Sequence, residues 1–314
     1  MTIARAIELA ENGRGTTYPN PLVGAVVVRD GEIVGEGWHA RRGEPHAEVN
    51  ALRAAGERAR GATLYVTLEP CTHHGSTPPC VDAILEAGVE RVVVGVRDPN
   101  PNVSGGGVER LRESGVDVEV VEGEPAWRAR DLNAGYLSVY ERGRPWVIFK
   151  AAVTLDGRMT VPGERWVTGE DSRRRVHELR GWVDAVAVGM GTVRADAPRL
   201  DARGVDAPKQ PRRLAFGRGP LPEGSELELR TGPPRDELGA LAAEGVQTLL
   251  LEGGATLAAS FFAADLVDKV LLFVAPTLAG AGPSLTLPAP VKLKRLRAEQ
   301  VGDDVLLEAY VHDP

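Results

Sequence analysis

Apolar positions along the first half of the chain fall into two rhythms. Short apolar runs at Val23–Val28, Glu32–Gly37, Thr63–Thr67 and Arg91–Val96 predict strands. Ala47–Arg60 and Val81–Gly88 space their apolar residues as a helix does, each stopping at a glycine. The opening stretch, MTIARAIELAENGRG, reads as an amphipathic helix. Asp30-Gly31 between the first two strands predicts a hairpin. A hairpin followed by strand–helix alternation predicts a mixed sheet with helices on both faces.

The second half repeats the alternation without repeating the sequence. A strand at Trp146–Ala152 precedes a helix at Asp171–Gly181 and strands at Ala185–Gly189 and near Arg213–Phe216. A strand at Val246–Leu251 runs straight into Glu252-Gly253-Gly254 and a helix through Phe262, with a further strand at Lys269–Val274. Arg218–Gly224 and Thr231–Asp236 are rich in Pro and Gly and predict loops. The two halves meet near Glu141–Pro145, so the expected domains are residues 1–144 and 145–314, both α/β.

Composition narrows the function. A chain of 314 residues has room for about two domains. With 43% apolar and 26% charged residues it has the balance of a globular protein. A net charge of −7 argues against nucleic acid or a membrane surface as partner, while leaving room for local basic pockets. No apolar run nears the roughly 18 residues that span a bilayer, and no signal peptide is visible. With two cysteines in one segment, a disulfide framework is not expected, and a reduced, cytoplasmic setting is.

Those cysteines belong to the most informative constellation: His46-Ala47-Glu48, then Glu69-Pro70-Cys71 and Pro78-Pro79-Cys80. One imidazole and two thiolates suit a single zinc ion, and three protein ligands leave a fourth position open for water, as catalytic rather than structural sites do. Bound zinc lowers the pKa of its water towards ~7. Glu48, two residues from His46, is placed for general acid–base work. The bland alternatives are a buried apolar cysteine and a surface histidine. They fit poorly with the chain's only cysteines sharing one proline-rich segment downstream of His-x-Glu. His73 and His74, between the cysteines, are rival ligands or substrate contacts. The H-x-E…P-C…C pattern is that of zinc deaminases, although eight residues separate these cysteines instead of two.

At this point the sequence closely resembles the bifunctional deaminase/reductase family of bacterial riboflavin biosynthesis. The residues that carry the likeness are Pro19–Gly24, Gly43–Glu48, Tyr65–Cys71, Pro78–Cys80 and Arg97–Pro101. The long cysteine spacing is also that family's. The resemblance implies a cytidine-deaminase-like three-layer N-terminal domain, with Glu48 catalytic and His46, Cys71 and Cys80 on zinc. Its substrate would be 2,5-diamino-6-(5-phosphoribosylamino)pyrimidin-4(3H)-one, with Asn20 touching the ring edge. Without the family, Asn20 reads as a turn cap.

The C-terminal half is similar to the family's reductase domain through Lys150–Gly157, Trp166–Thr168, Gly191–Asp196 and Glu252–Ala255. That implies a dihydrofolate-reductase-like fold using NADPH to reduce the ribosyl group to ribityl. By position, Val153, Trp166, Thr192, Asp196, Gly253, Gly254, Ala255, Thr256 and Leu257 would touch NADPH. Arg180, Leu200, Arg203 and Glu252 would hold the substrate, the arginines on its phosphate. Reductase domains of this family tend to pair, so a homo-oligomer is expected. Read alone, glycines at a strand-to-helix turn can bring N–H groups to a phosphate, though Gly-Gly is more often a plain turn.

Four departures from the family pattern stand out. A serine usual before the Trp166 position is missing from Gly163–Trp166, and Asp201 replaces a usual threonine. Gly217 stands where an acid is usual, and the Arg218–Gly239 loops are short. They raise an alternative, an active deaminase carrying a degraded, non-catalytic reductase. A deaminase for cytidine, deoxycytidylate or tRNA adenosine and a non-enzymatic zinc module are further alternatives.

Overall fold

The computed structural model describes residues 2–73, 78–101 and 106–314. The chain divides into two compact units, Met1–Arg142 together with Pro314, and Gly143–Asp313.

The first unit runs α1 (Thr2–Ala10), β1 (Gly24–Arg29), β2 (Glu32–Trp38), α2 (Ala47–Ala55), β3 (Thr63–Val66), α3 (Cys80–Glu86), β4 (Arg91–Val94), α4 (Gly106–Glu113), β5 (Asp117–Val120), α5 (Gly123–Leu132) and α6 (Ala134–Arg142). Its sheet has the order β2-β1-β3-β4-β5, with β1 antiparallel to both neighbours and β3, β4 and β5 parallel. Strand alternation sorts the core into two layers. Ala25, Val27, Leu64, Val66, Val92 and Val94 pack with α2, α3 and α4, while Tyr65 and Val93 meet α1, α5 and α6. The result is the expected three-layer domain. α2 lies so close to β2 that a Cβ at Gly35 would stand 2.2 Å from the Ala51 carbonyl, which fixes the helix on the sheet.

The helix predicted over Ala47–Arg60 is shorter than its pattern. It ends at Ala55, because Gly56 takes φ 56° and the chain continues as a 3-10 turn, Gly56–Ala59. The hairpin at Asp30-Gly31 forms with both residues at positive φ.

The second unit contains β6 (Trp146–Thr154), α7 (Glu170–Trp182), β7 (Ala185–Gly189), α8 (Met190–Asp196), β8 (Arg212–Phe216), β9 (Glu228–Arg230), α9 (Pro234–Ala243), β10 (Thr248–Leu251), α10 (Ala255–Ala263), β11 (Lys269–Ala275), β12 (Lys294–Val301) and β13 (Asp304–Tyr310). Its eight strands are ordered β12-β13-β11-β6-β10-β7-β8-β9, parallel from β11 to β9, with β13 and β12 antiparallel at one side. Helices α9 and α10 cover one face and α7 and α8 the other. The loop predicted over Thr231–Asp236 gives way to α9 at Pro234, where a missing N–H costs a helix nothing. Among the described residues no helix is long and apolar enough to cross a membrane.

One buried carboxylate ties this unit together. Asp268 takes both guanidinium nitrogens of Arg144 at 2.6 and 2.7 Å, the Val147 N–H at 2.8 Å, and lies 2.9 Å from His312 Nδ1. Burial would push its carboxyl up, but the hydrogen bonds from Arg144 and His312 bring it below the ordinary carboxylate range. A depressed folded pKa stabilises above the unfolded value and loses that contribution as pH falls through the folded one. Asp268→Asn is therefore expected to lower stability at pH 7 by about 3–5 kcal/mol, since it strands a buried guanidinium. Unfolding followed from pH 7 to 3 should show this gap full above pH ~4 and closing below it; a gap independent of pH would contradict the assignment.

Candidate functional site

In the first unit, β3 ends at Val66 and the chain continues to Cys71, while His46 caps α2 and Cys80 opens α3. These three converge. His46 Nδ1 lies 3.1 Å from Cys80 Sγ and 3.5 Å from Cys71 Sγ, and the three donor atoms all fall within 4.8 Å of one another. Tetrahedral zinc, with bonds of about 2.3 Å to sulfur and 2.0–2.1 Å to nitrogen, asks for donors about 3.5–3.8 Å apart. The residues fit the ion.

Their electrostatics point the same way. The Cys80 N–H donates to Cys71 Sγ at 3.4 Å and the Val81 N–H to the Cys71 carbonyl at 3.2 Å. Hydrogen bonding from Cys80, against the effect of burial, brings the Cys71 thiol down to about 4, while the same pairing and burial push Cys80 up. A bound dication is what allows both sulfurs to be thiolates. Glu48, in the first turn of α2, is 3% exposed, and burial pushes its carboxyl up to about 6.

His39, which the sequence reading passed over, completes this pocket. It is buried just beyond β2, its ring edge-on to His46 with centroids 5.3 Å apart. Its Nε2 accepts from the Asn20 amide at 3.2 Å, leaving Nδ1 to donate to the Pro45 carbonyl at 3.4 Å. Burial lowers its pKa, so the ring is neutral and fixes which way Asn20 faces. His73 is exposed and stands outside the ligand cluster; His74 lies outside the described residues.

In the second unit the substrate candidates gather around Glu252, just past β10. Arg180 on α7 grips it with a fork of 2.6 and 2.9 Å, and Lys150 on β6 stands 3.8 Å away. Burial lowers the Lys150 pKa and would raise that of Glu252, which the two cations instead hold below its ordinary value. Arg180 also donates to the Asp201 carbonyl at 3.2 Å, and His177 Nδ1 lies 3.0 Å from the same oxygen. Leu200 is buried with φ 57°. The Asp201 carboxylate does not point a free charge at the cluster: Arg203 holds it at 2.5 Å and Arg199 at 2.9 Å. Lys150, Arg180, Arg199 and Arg203 outnumber Glu252 and Asp201, so an anion is favoured here.

The cofactor candidates form a cradle where two helices begin side by side. Gly189 caps α8 and Gly254 caps α10; a Cβ on Gly254 would lie 3.5 Å from Thr192 Oγ1, and one on Gly189 3.4 Å from Leu257. Gly253, Ala255 and Thr256 belong to the same turn, and Asp196 lies one helical turn beyond Thr192 on the same face. Val153 is buried near the end of β6. Trp166 is half exposed, flanked by the guanidinium groups of Arg165 and Arg173 at 4.9 and 5.3 Å. The missing acid at Gly217 has a steric reason. Gly217 has φ 136° and a Cβ there would stand 2.9 Å from Met190 Cγ, so Met190 fills the space a longer side chain would need.

A sulfur–imidazole site in one α/β unit and a paired helix-terminus cradle in the other define a two-domain enzyme, a zinc deaminase joined to a reductase. Known proteins carry the same combination. The family model described as "RibD C-terminal domain" matches residues 145–307, and that of the "Cytidine and deoxycytidylate deaminase zinc-binding region" matches residues 1–96. Riboflavin biosynthesis protein RibD of Aquifex aeolicus is 40% identical over 96% of this chain and 95% of its own, and that of Escherichia coli 40% over 97% of each. The solved RibD of Acinetobacter baumannii superposes with a TM-score of 0.87 at 36% identity, over 98% of this chain and 97% of its own. A diaminohydroxyphosphoribosylaminopyrimidine deaminase/5-amino-6-(5-phosphoribosylamino)uracil reductase from Thermotoga maritima gives 0.83 at 36%, with the same coverage. The chain belongs to the RibD family of riboflavin biosynthesis, whose two activities are deaminase and reductase. Nothing favours the degraded-reductase alternative.

The Arg180–Glu252 fork gives the test of the second site. Glu252→Gln leaves Lys150 and Arg180 buried against a neutral amide. Steady-state assay of the reductase should show kcat/KM down about 30-fold or more, the loss typical of a broken buried charge pair, with the deaminase rate unchanged.

Proposed function

We propose that the first unit hydrolytically deaminates 2,5-diamino-6-(5-phosphoribosylamino)pyrimidin-4(3H)-one, and that the second reduces the ribosyl group of the product to ribityl with NADPH. The observation that carries this reading is the convergence of His46, Cys71 and Cys80 beside buried Glu48. The second unit's cationic cluster beside its cofactor cradle complements it.

His46, Cys71 and Cys80 would hold one zinc ion, which supplies Lewis acidity that makes water a nucleophile near neutral pH. Glu48 takes a proton as water adds to the ring carbon that carries the amino group. It returns that proton to the nitrogen as the C–N bond breaks and ammonia leaves. Burial at this position is what lets one carboxyl both accept and release a proton near neutrality. Asn20, held by His39, meets the polar ring edge and sets its orientation.

NADPH, when bound, supplies hydride for the sugar C1 position. Val153, Trp166, Thr192, Asp196 and Gly253–Leu257 would hold it, with the α10 N-terminus directed at phosphate. Arg180 and Arg203 would take the substrate phosphate, with Leu200 and Glu252 lining the same cluster. A homo-oligomer formed through the second unit belongs to the same reading. A cytoplasmic location completes the reading.

Mass spectrometry of the product formed with zinc-loaded protein and NADPH tests it. The expected product has exchanged an amino group for oxygen and gained two hydrogens. Glu48→Gln should cut deamination at least ~100-fold, while zinc content and reduction of the deaminated intermediate persist. An unchanged substrate would overturn the substrate assignment.

A further inference from the structure

Glu69 is a buried carboxylate that the mechanism does not use, 4% exposed and two residues before Cys71. Its charge is met by backbone. Oε1 accepts from the N–H groups of Gly107 and Val108 at 3.1 and 3.0 Å, in the first turn of α4, and Oε2 accepts from the Asp98 N–H at 3.1 Å. Charge-assisted bonds to a helix N-terminus are among the stronger polar contacts a fold can make. The helix also seats sterically on the loop: a Cβ at Gly107 would stand 2.0 Å from the Pro70 carbonyl, and one at Gly106 3.0 Å from Thr72 Oγ1. The start of α4 therefore presses on the residues to either side of Cys71.

We propose that Glu69 is a positioning residue for the metal site, clamping the Cys71 arm to the N-terminus of α4. This rests on reading His46, Cys71 and Cys80 as zinc ligands. The same helix reaches the other cysteine arm, where Arg110 pairs at 2.7 Å with Asp82, two residues after Cys80. With the Cys80 N–H on Cys71 Sγ at 3.4 Å, the Cys71 arm is held between α3 and α4. Glu69 thus controls how firmly Cys71 is presented, although it touches neither metal nor substrate.

The test is the rate at which zinc passes to a colorimetric chelator, with zinc content measured first. Wild type should carry one zinc and release it slowly. Glu69→Ala should accelerate release about 10-fold or more, in line with losses from removing partners that support metal ligands. Glu69→Gln should be intermediate, keeping the acceptor for Gly107 and Val108 but turning an amide N–H towards that of Asp98. Gly107→Ala, which removes no polar group, should reproduce the defect by pushing α4 off Pro70. In all three, deaminase kcat should fall more than KM rises, while reductase turnover holds. A carboxylate that served folding alone would lower the melting temperature and leave zinc release unchanged. If folded Glu69→Ala or, should that fail to fold, Glu69→Gln released zinc at the wild-type rate, the clamp would be overturned. A wild type without zinc would instead overturn the metal reading beneath it.

Discussion

The constraint that shapes both candidate sites is the α-helix N-terminus, which favours negative charge. The first N–H groups of a helix have no partner within it and point outward with a partial positive charge. Parallel strands deliver the chain to that position repeatedly, because each strand's carboxyl end opens into a loop and then a helix. In the first unit Cys80 opens α3 and Glu69 meets the start of α4. In the second, β7 runs into α8 and β10 into α10, so two such ends lie together at Thr192 and Gly254. The apolar runs that bury the central strands between helices are the means of holding these helix ends in place.

The two sites then solve opposite charge problems. The deaminase site gathers groups that are anionic when ready to bind, two thiols and a buried carboxylate, and a cation resolves their repulsion. The candidate site of the second unit gathers an excess of guanidinium and ammonium groups and favours an anion. A net charge of −7 gives no hint of this second pocket, since charge at a site is set by a handful of side chains.

What could be read from the sequence follows from the range over which each feature acts. The strands β1, β4, β7 and β10 are buried on both faces along most of their length, and their apolar runs announce them. β12 is exposed along almost its whole length and carries no such run, so nothing local marked it. The His46, Cys71 and Cys80 cluster was legible because the chain's two cysteines, a histidine and prolines carry their chemistry in their identity and spacing. His39 and Glu69 were not, because each acts through a partner far along the chain: Asn20 lies 19 residues from His39, and Val108 lies 39 from Glu69. Arg180 and Glu252 meet across 72 residues, and only resemblance to a known family put both at one site.

The departures from that family's pattern are explained by which atoms the site uses. Arg180 and His177 both address the main-chain carbonyl of Asp201, which every residue type supplies. The side chain at that position is free to vary so long as its own charge is balanced, and Arg199 and Arg203 balance it. At Gly217 the logic is steric: Met190, at the start of α8, occupies the volume, and the chain turns at a φ that suits glycine. In both places a change that reads as loss in the sequence is absorbed locally. The pairing of Arg180 with Glu252 and the adjacent helix ends at Thr192 and Gly254 are left intact by both changes.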